Sequence, residues 1–105
     1  MRRVALAGVA LILGLSGCGD EDHATATAQA RDFRFAPSTL RVPAGTTVTW
    51  RNTGRTLHNV KGPGYFSRAV LPGGRYSHRF AKPGSYDYVC TLHPDAMRGR
   101  VVVGD

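Results

Sequence analysis

The sequence is poor in acidic residues, in cysteine and in long apolar runs, and each shortage excludes a class of protein. Seven Asp and Glu accompany 14 Lys and Arg in 105 residues, a formal charge of +7. There are two Cys, so at most one disulfide could form. The longest apolar run, Val4 to Leu15, is too short to cross a bilayer as a mature helix. The absence of heptads and repeats excludes coiled coils and solenoids, and the length allows one domain.

The N-terminus has the pattern of an exported lipoprotein. Arg2 and Arg3 precede the apolar run, which ends in Leu15-Ser16-Gly17-Cys18 and resembles the lipobox of bacterial lipoproteins. We therefore predict a signal peptide over residues 1–17, a lipidated Cys18 that anchors the chain to a membrane, and a flexible tether over residues 18–29. An ordinary signal peptide with a chance Cys is the alternative. If Cys18 is acylated, it cannot form a disulfide with Cys90.

The remaining segment, residues 30–105, is predicted to be one all-β domain. Apolar and polar residues alternate with a period of two, as in Tyr76, His78 and Phe80, and Pro-Gly turns separate the alternating stretches. No stretch carries a convincing helical stripe. The spacing predicts an antiparallel sandwich or barrel of seven or eight strands with Greek-key connections. We expect Trp50 in its core, and His78 packed there as a neutral imidazole rather than serving as a ligand.

The segment from Cys90 to Met97 carries the chemistry. It offers a thiol at Cys90, an imidazole at His93 and a thioether at Met97 within eight residues, in a loop after a strand. His58, which follows the strand of Trp50, supplies the second imidazole of a type 1 copper set. Thiolate and thioether favour Cu(I) and imidazoles accommodate Cu(II), whereas a zinc site would require four strong ligands. The sequence therefore predicts one copper ion.

The residues from about Phe33 to Val103 resemble the small cupredoxins of the plastocyanin and amicyanin group, and amicyanins most. The resemblance implies that His58, Cys90, His93 and Met97 are the copper ligands. It also implies that the Asn59 side chain ties its loop to the backbone beside Thr91. Three residues separate His93 from Met97, whereas amicyanins have two and plastocyanins usually four, so Met97 is the ligand whose contact the loop length puts in question. The resemblance is carried by three stretches of the sequence: Gly45 to Asn52, His58-Asn59-Val60, and the residues from Tyr76 to Val103.

These features favour a protein that carries single electrons between redox partners outside the cytoplasm, on the periplasmic or outer face of a bacterial membrane. We expect a monomer that meets its partners transiently and does not bind nucleic acid. No nucleophile or base constellation is visible, so we do not expect an enzyme. Copper scavenging or delivery by the same ligands is the alternative function. The resemblance implies electron exit at the edge of His93, inside an apolar rim that we expect to contain Leu57, Pro63, Leu71, Leu92 and Pro94.

Overall fold

The structure is a computed structural model that describes residues 24–105. Residues 1–23, with the predicted signal peptide, the predicted lipidation site Cys18 and the start of the predicted tether, lie outside the described residues. The described part contains nine strands and no helix, and so no helix suited to crossing a membrane. The strands are β1 (Thr25–Arg31), β2 (Arg34–Ala36), β3 (Thr39–Pro43), β4 (Thr46–Asn52), β5 (Lys61–Gly62), β6 (Tyr65–Phe66), β7 (Arg75–Phe80), β8 (Gly84–Val89) and β9 (Arg98–Gly104).

Two sheets form the domain, which confirms the predicted all-β fold class. One sheet has the order β2-β1-β4-β7 and the other β3-β9-β8-β5-β6. Two pairs, β1 with β4 and β3 with β9, are parallel, so the expectation of wholly antiparallel pairing was wrong. The reason is that the chain visits the second sheet as β3 before it returns beside β1 as β4. The strand count exceeds the predicted seven or eight because β5 and β6 are separate strands of two residues each.

The predicted tether is too long, because its last residues belong to the sheet. Residues 25–29 lie in β1, which pairs along its length with β4, so the domain begins before residue 30. The side chains of Ala28 and Ala30 are turned inward and are 1% and 3% exposed. Alternating Ala and Thr give a weak period-two pattern because a methyl group contributes little apolar area. Burial against β4 nevertheless makes this segment a strand.

The core lies between the sheets and is rich in aromatic side chains. Trp50 is buried, as predicted, and its ring centroid lies 5.2 Å from that of Tyr88 and 5.9 Å from that of Tyr65. His78 stacks on Tyr65 at 4.3 Å, and its partial burial lowers the pKa of the imidazole. This packing fixes β4 and β8, the strands that lead into the segments of His58 and Cys90.

Candidate metal centre

His58 lies in a loop that distant parts of the chain hold in place. We call residues 52–59, which continue from the end of β4, the His58 loop. The backbone of His58 exchanges two hydrogen bonds with Val70, at 3.3 and 2.7 Å. The buried Asn52 side chain donates to the carbonyl oxygens of Thr56 and Val70, at 2.9 and 2.8 Å. These bonds hold the His58 loop in place at both Asn52 and His58. The His58 side chain is buried, with 1% of its surface exposed.

Asp32, in the turn between β1 and β2, holds the same loop through its carboxylate. Its oxygens accept hydrogen bonds from the backbone N–H groups of Arg55 and Thr56 and from the Thr56 hydroxyl. Asp32 Oδ1 also lies 3.0 Å from His58 Nε2. The hydrogen bond from the Arg55 backbone N–H is the largest influence on this carboxyl, and with those from His58 and Thr56 it lowers the pKa of Asp32 to about 2. The carboxylate is thus ionised at neutral pH and accepts a hydrogen bond from the protonated Nε2 of His58.

The other ring nitrogen of His58 has no protein partner. Nδ1 is buried and makes no hydrogen bond within the described residues. With the proton on Nε2, this nitrogen presents a lone pair, which is the form of imidazole that binds a metal. An unsatisfied buried polar atom costs free energy unless something else occupies it. The environment of Nδ1 therefore suits a metal ion.

The Cys90 thiol lies beside the same loop. Cys90 follows β8, is fully buried and is free of any disulfide. The backbone N–H of Asn59, the residue after His58, points at Cys90 Sγ over 3.5 Å. This contact joins the His58 loop directly to the Cys90 sulfur.

His93 and Met97 lie in a second loop, residues 90–97, which we call the His93 loop. Its backbone hydrogen bonds are short-range: the His93 N–H bonds to the Cys90 carbonyl, and the Met97 N–H to the His93 carbonyl. The Cys90 N–H bonds to the Met97 carbonyl at 3.0 Å, which closes the loop. Met97 is fully buried, whereas His93 is partly exposed. The imidazole of His93 lies 5.4 Å from that of His58 between ring centroids.

Asn59 and Thr91 connect the two loops. The Asn59 side chain donates from Nδ2 to the Thr91 hydroxyl at 2.8 Å and accepts from the Thr91 backbone N–H at 2.7 Å. The second of these is the tie to the backbone that the resemblance to plastocyanin implies for Asn59, and the bond to the hydroxyl is an addition. Both bonds hold the His58 loop against the residue that follows Cys90.

His58, Cys90 and His93 therefore lie near one another at one end of the sandwich, and a backbone hydrogen bond joins Met97 to Cys90. Within residues 24–105, no three His, Cys, Asp or Glu side chains are gathered tightly enough to enclose a metal ion as they stand. His58 and Cys90 are the fixed members of the set, because both are buried and bonded. Three of the predicted rim residues, Leu57, Leu71 and Leu92, are between 45% and 66% exposed.

Sequence reasoning missed the turn between β1 and β2, which contacts both imidazoles. Asp32 bonds to His58, and the Phe33 ring packs edge-on against the His93 ring at a centroid distance of 5.2 Å. Phe33 lies in this turn with a φ of 72° and is 56% exposed. Gly54 is part of the same arrangement, since a Cβ there would overlap the Asp32 carboxylate. Asp32 and His58 are 26 positions apart in the sequence, so no local motif could have revealed this contact.

Comparisons with known proteins agree with this fold. Residues 3–103 match the family described as cupredoxin-like domain. The chain is 44% identical to amicyanin-alpha of Methylorubrum extorquens over 78 residues, which cover 68% of this chain and 65% of the relative, slightly less than two thirds of its length. A solved Cu(I) form of an amicyanin variant superposes with a TM-score of 0.72 at 33% identity, over 77% of this chain and 83% of that one. A purple cupredoxin from Nitrosopumilus maritimus gives a TM-score of 0.71 at 28% identity, over 75% and 99%.

Proposed function

Because the chain belongs to the cupredoxin-like domain family, we propose that it is a type 1 copper protein that carries single electrons between partner proteins outside the cytoplasm. The proposed ligands are His58, Cys90, His93 and Met97. The observation that carries the proposal is the buried, partnerless Nδ1 of His58 in a loop whose next residue contacts the Cys90 sulfur. The similarity to a Cu(I) form of amicyanin supports copper as the metal.

The donor set suits one-electron chemistry. Copper bound there supplies a Cu(I)/Cu(II) couple, for which sulfur ligands favour the reduced ion and imidazoles accommodate the oxidised one. The protein limits the rearrangement between the two states by holding His58 and Cys90 in buried, hydrogen-bonded positions. The backbone N–H of Asn59 would help to set the redox potential of the copper site, since hydrogen bonds to a copper-bound thiolate tune that potential. We expect His93, the partly exposed imidazole, to be the side chain that moves when copper binds.

Electrons would leave and enter at His93. His93 is the one candidate ligand with access to solvent. The exposed Phe33 packs against its ring, and the exposed Leu92 precedes it in the sequence. Apolar side chains around an exposed imidazole suit small interfaces that form and dissociate quickly. The protein would act as a monomer and would not be an enzyme.

The location of the protein is also a proposal. The sequence pattern over residues 1–18 supports export and lipid attachment at Cys18, which would place the domain on the periplasmic or outer face of a bacterial membrane. Mass spectrometry of the mature protein would test this. A diacylglyceryl group on Cys18 supports the anchor, and a mature chain that begins at another residue contradicts it.

Optical and EPR spectra of the copper-loaded protein test the metal centre. We expect an intense blue thiolate band that Cys90→Ser abolishes and that Met97→Ala retains with a changed potential. His78→Gln is the matched control, because it removes an imidazole that packs on Tyr65. An unchanged spectrum in the Cys90→Ser variant would overturn the ligand assignment.

The carrier is distinguished from a copper scavenger or delivery protein by kinetics. Fast electron self-exchange with slow loss of metal supports the carrier. Ready transfer of Cu(I) to a chelator, with slow self-exchange, supports copper handling instead.

A further inference from the structure

The outer surface of the four-stranded sheet is strongly cationic. Successive residues of a strand point to opposite sides, and the exposed residues of β1, β2, β4 and β7 form one outward surface. We call five exposed residues on it the arginine face: Arg31, Arg34, Arg51, Arg75 and Arg79. Thr27, Thr49 and Ser77 occupy one row across the same surface, and the hydroxyls of Thr49 and Ser77 lie 2.7 Å apart.

The arginine face contains unfavourable pairs that the fold does not neutralise. Arg31 lies directly opposite Arg34, and Arg51 directly opposite Arg75, in antiparallel registers. Like charges in that position are destabilising. Among the outward residues of these four strands there is no Asp or Glu, and the ion pairs of the described residues do not include these Arg. A ligand with many negative charges would relieve this repulsion.

We propose that the arginine face docks on a phospholipid bilayer that contains anionic headgroups. Arg guanidinium groups bind phosphate through two parallel hydrogen bonds, which Lys cannot match, and all five cations here are Arg. The sheet holds these Arg side chains next to one another on one surface, and the phosphates of a bilayer likewise lie next to one another on its surface. The chain outside the structure joins this sheet just before Thr25, which lies in the row of Thr47 and Arg79, and that part of the chain includes the proposed lipidation site Cys18. The lipid proposed on Cys18 would keep this sheet near the membrane, although docking through charge does not require it.

Docking through the sheet places the candidate metal centre at the border of the contact, because Arg31 and Arg34 flank the turn that contains Asp32 and Phe33. The two loops with the proposed ligands lie beyond the ends of β4 and β8, so they belong to an end of the sandwich and not to the outer surface of a sheet. A domain that rests on the arginine face would present His93 sideways, along the membrane plane. The inference is independent of copper and does not require the proposed function to hold.

Vesicle sedimentation of the full chain tests the proposal. The readout is the ratio of binding to phosphatidylcholine vesicles that contain one-third phosphatidylglycerol over binding to phosphatidylcholine alone, so that any attachment that does not depend on charge cancels. We expect Arg51→Gln/Arg75→Gln to lower this ratio roughly 25-fold, about fivefold for each Arg near an anionic surface. The preference should also disappear near 1 M salt, where the screening length is about 3 Å.

The control removes the same charge from the other sheet. Arg41 on β3 and Lys61 on β5 are both exposed, and Arg41→Gln/Lys61→Gln should leave the ratio within about twofold of the wild type if proximity to the surface decides the effect. Equal losses in the two double variants would overturn the proposal, because net charge alone would then explain binding. The proposal would also be overturned if the protein showed no preference for anionic vesicles. This holds even if the acidic residues 20–22 cause that result by covering the arginine face. Stronger binding to polyglutamate than to the anionic vesicles would favour an acidic protein partner and overturn the bilayer.

Discussion

The His58 loop and the His93 loop each supply one imidazole to the candidate centre, but the structure holds them in different ways. The His58 loop is bonded to parts of the chain that are distant in sequence, through Asp32 and Val70. In the His93 loop, Cys90 and Thr91 bond to the distant Asn59, but the residues from His93 to Met97 rely on short-range backbone hydrogen bonds. The first buries its imidazole, and the second leaves it partly open to solvent.

The difference separates two tasks of an electron-transfer site. A buried, multiply bonded ligand keeps the geometry of the site constant, and outer hydrogen bonds of this kind orient a ligand and raise its affinity. A short, locally bonded loop allows its imidazole to adjust to the metal and to contact a partner. We therefore expect substitutions around His58 to alter metal binding and stability, and substitutions around His93 to alter mainly the surface.

The largest effect should follow from the loss of the Asp32 carboxylate. In Asp32→Ala, His58 Nε2 and the N–H groups of Arg55 and Thr56 lose their acceptor, so the loop loosens. Copper affinity, measured by competition with a chelator, should fall roughly 10- to 100-fold, as for other outer partners of metal-bound His. Asp32→Asn, which retains one acceptor oxygen, should recover part of the loss.

Asp95→Ala is the matched control, because it removes an exposed carboxylate from the His93 loop. Its copper affinity should stay close to that of the wild type. Nitrogen NMR of the metal-free protein adds a second readout: the proton of His58 should lie on Nε2 in the wild type and lose that preference in Asp32→Ala. Equal affinities in the Asp32 and Asp95 variants would remove the distinction between the loops.

The next effect should come from Gly54, which makes room for the same carboxylate. A methyl group in Gly54→Ala would collide with Asp32 and should lower the free energy of unfolding by about 2 kcal/mol, as an extra methylene does in other packed sites. Gly104→Ala is the control, since a Cβ there meets no atom within 4 Å. Denaturant unfolding of the metal-free proteins measures both. If the two variants are equally stable, the contact between Gly54 and the Asp32 carboxylate is not tightly packed.

The sequence predicted the two loops unequally, for a physical reason. Cys90, His93 and Met97 lie within eight residues, so their spacing alone indicates that they meet. The fold class also followed from alternation and turns. Asp32 could not be found in this way, because a tertiary contact across 26 residues leaves no local pattern. The turn at Phe33 could not be found either, because no Gly or Asn stands at the position with the positive φ. That the four proposed side chains bind copper stays a prediction.

A smaller effect should be measurable where the two loops join. Asn59 and Thr91 share two hydrogen bonds, one of which uses the Thr91 hydroxyl. A double-mutant cycle of Asn59→Ala and Thr91→Ala should give a coupling free energy of about 1 kcal/mol, the usual contribution of one such bond. Unfolding midpoints of the four metal-free proteins supply the data. Strictly additive losses would mean that the hydrogen bond to the Thr91 hydroxyl does not help to join the loops, which would then depend on the bond from the Thr91 backbone N–H and on packing.

The smallest change in stability should follow from Phe33→Asn, next to the His93 loop. Asn tolerates the positive φ of this turn, and the side chain of Phe33 is 56% exposed, so the free energy of unfolding should shift by less than about 0.5 kcal/mol. The proton resonances of the His93 ring should nevertheless move, because the edge-on aromatic ring at 5.2 Å is gone. Phe66→Asn, which removes a ring of similar exposure from β6, should leave those resonances in place. A large loss of stability in Phe33→Asn would show that the His93 side of the centre depends on the turn between β1 and β2 as strongly as the His58 side does.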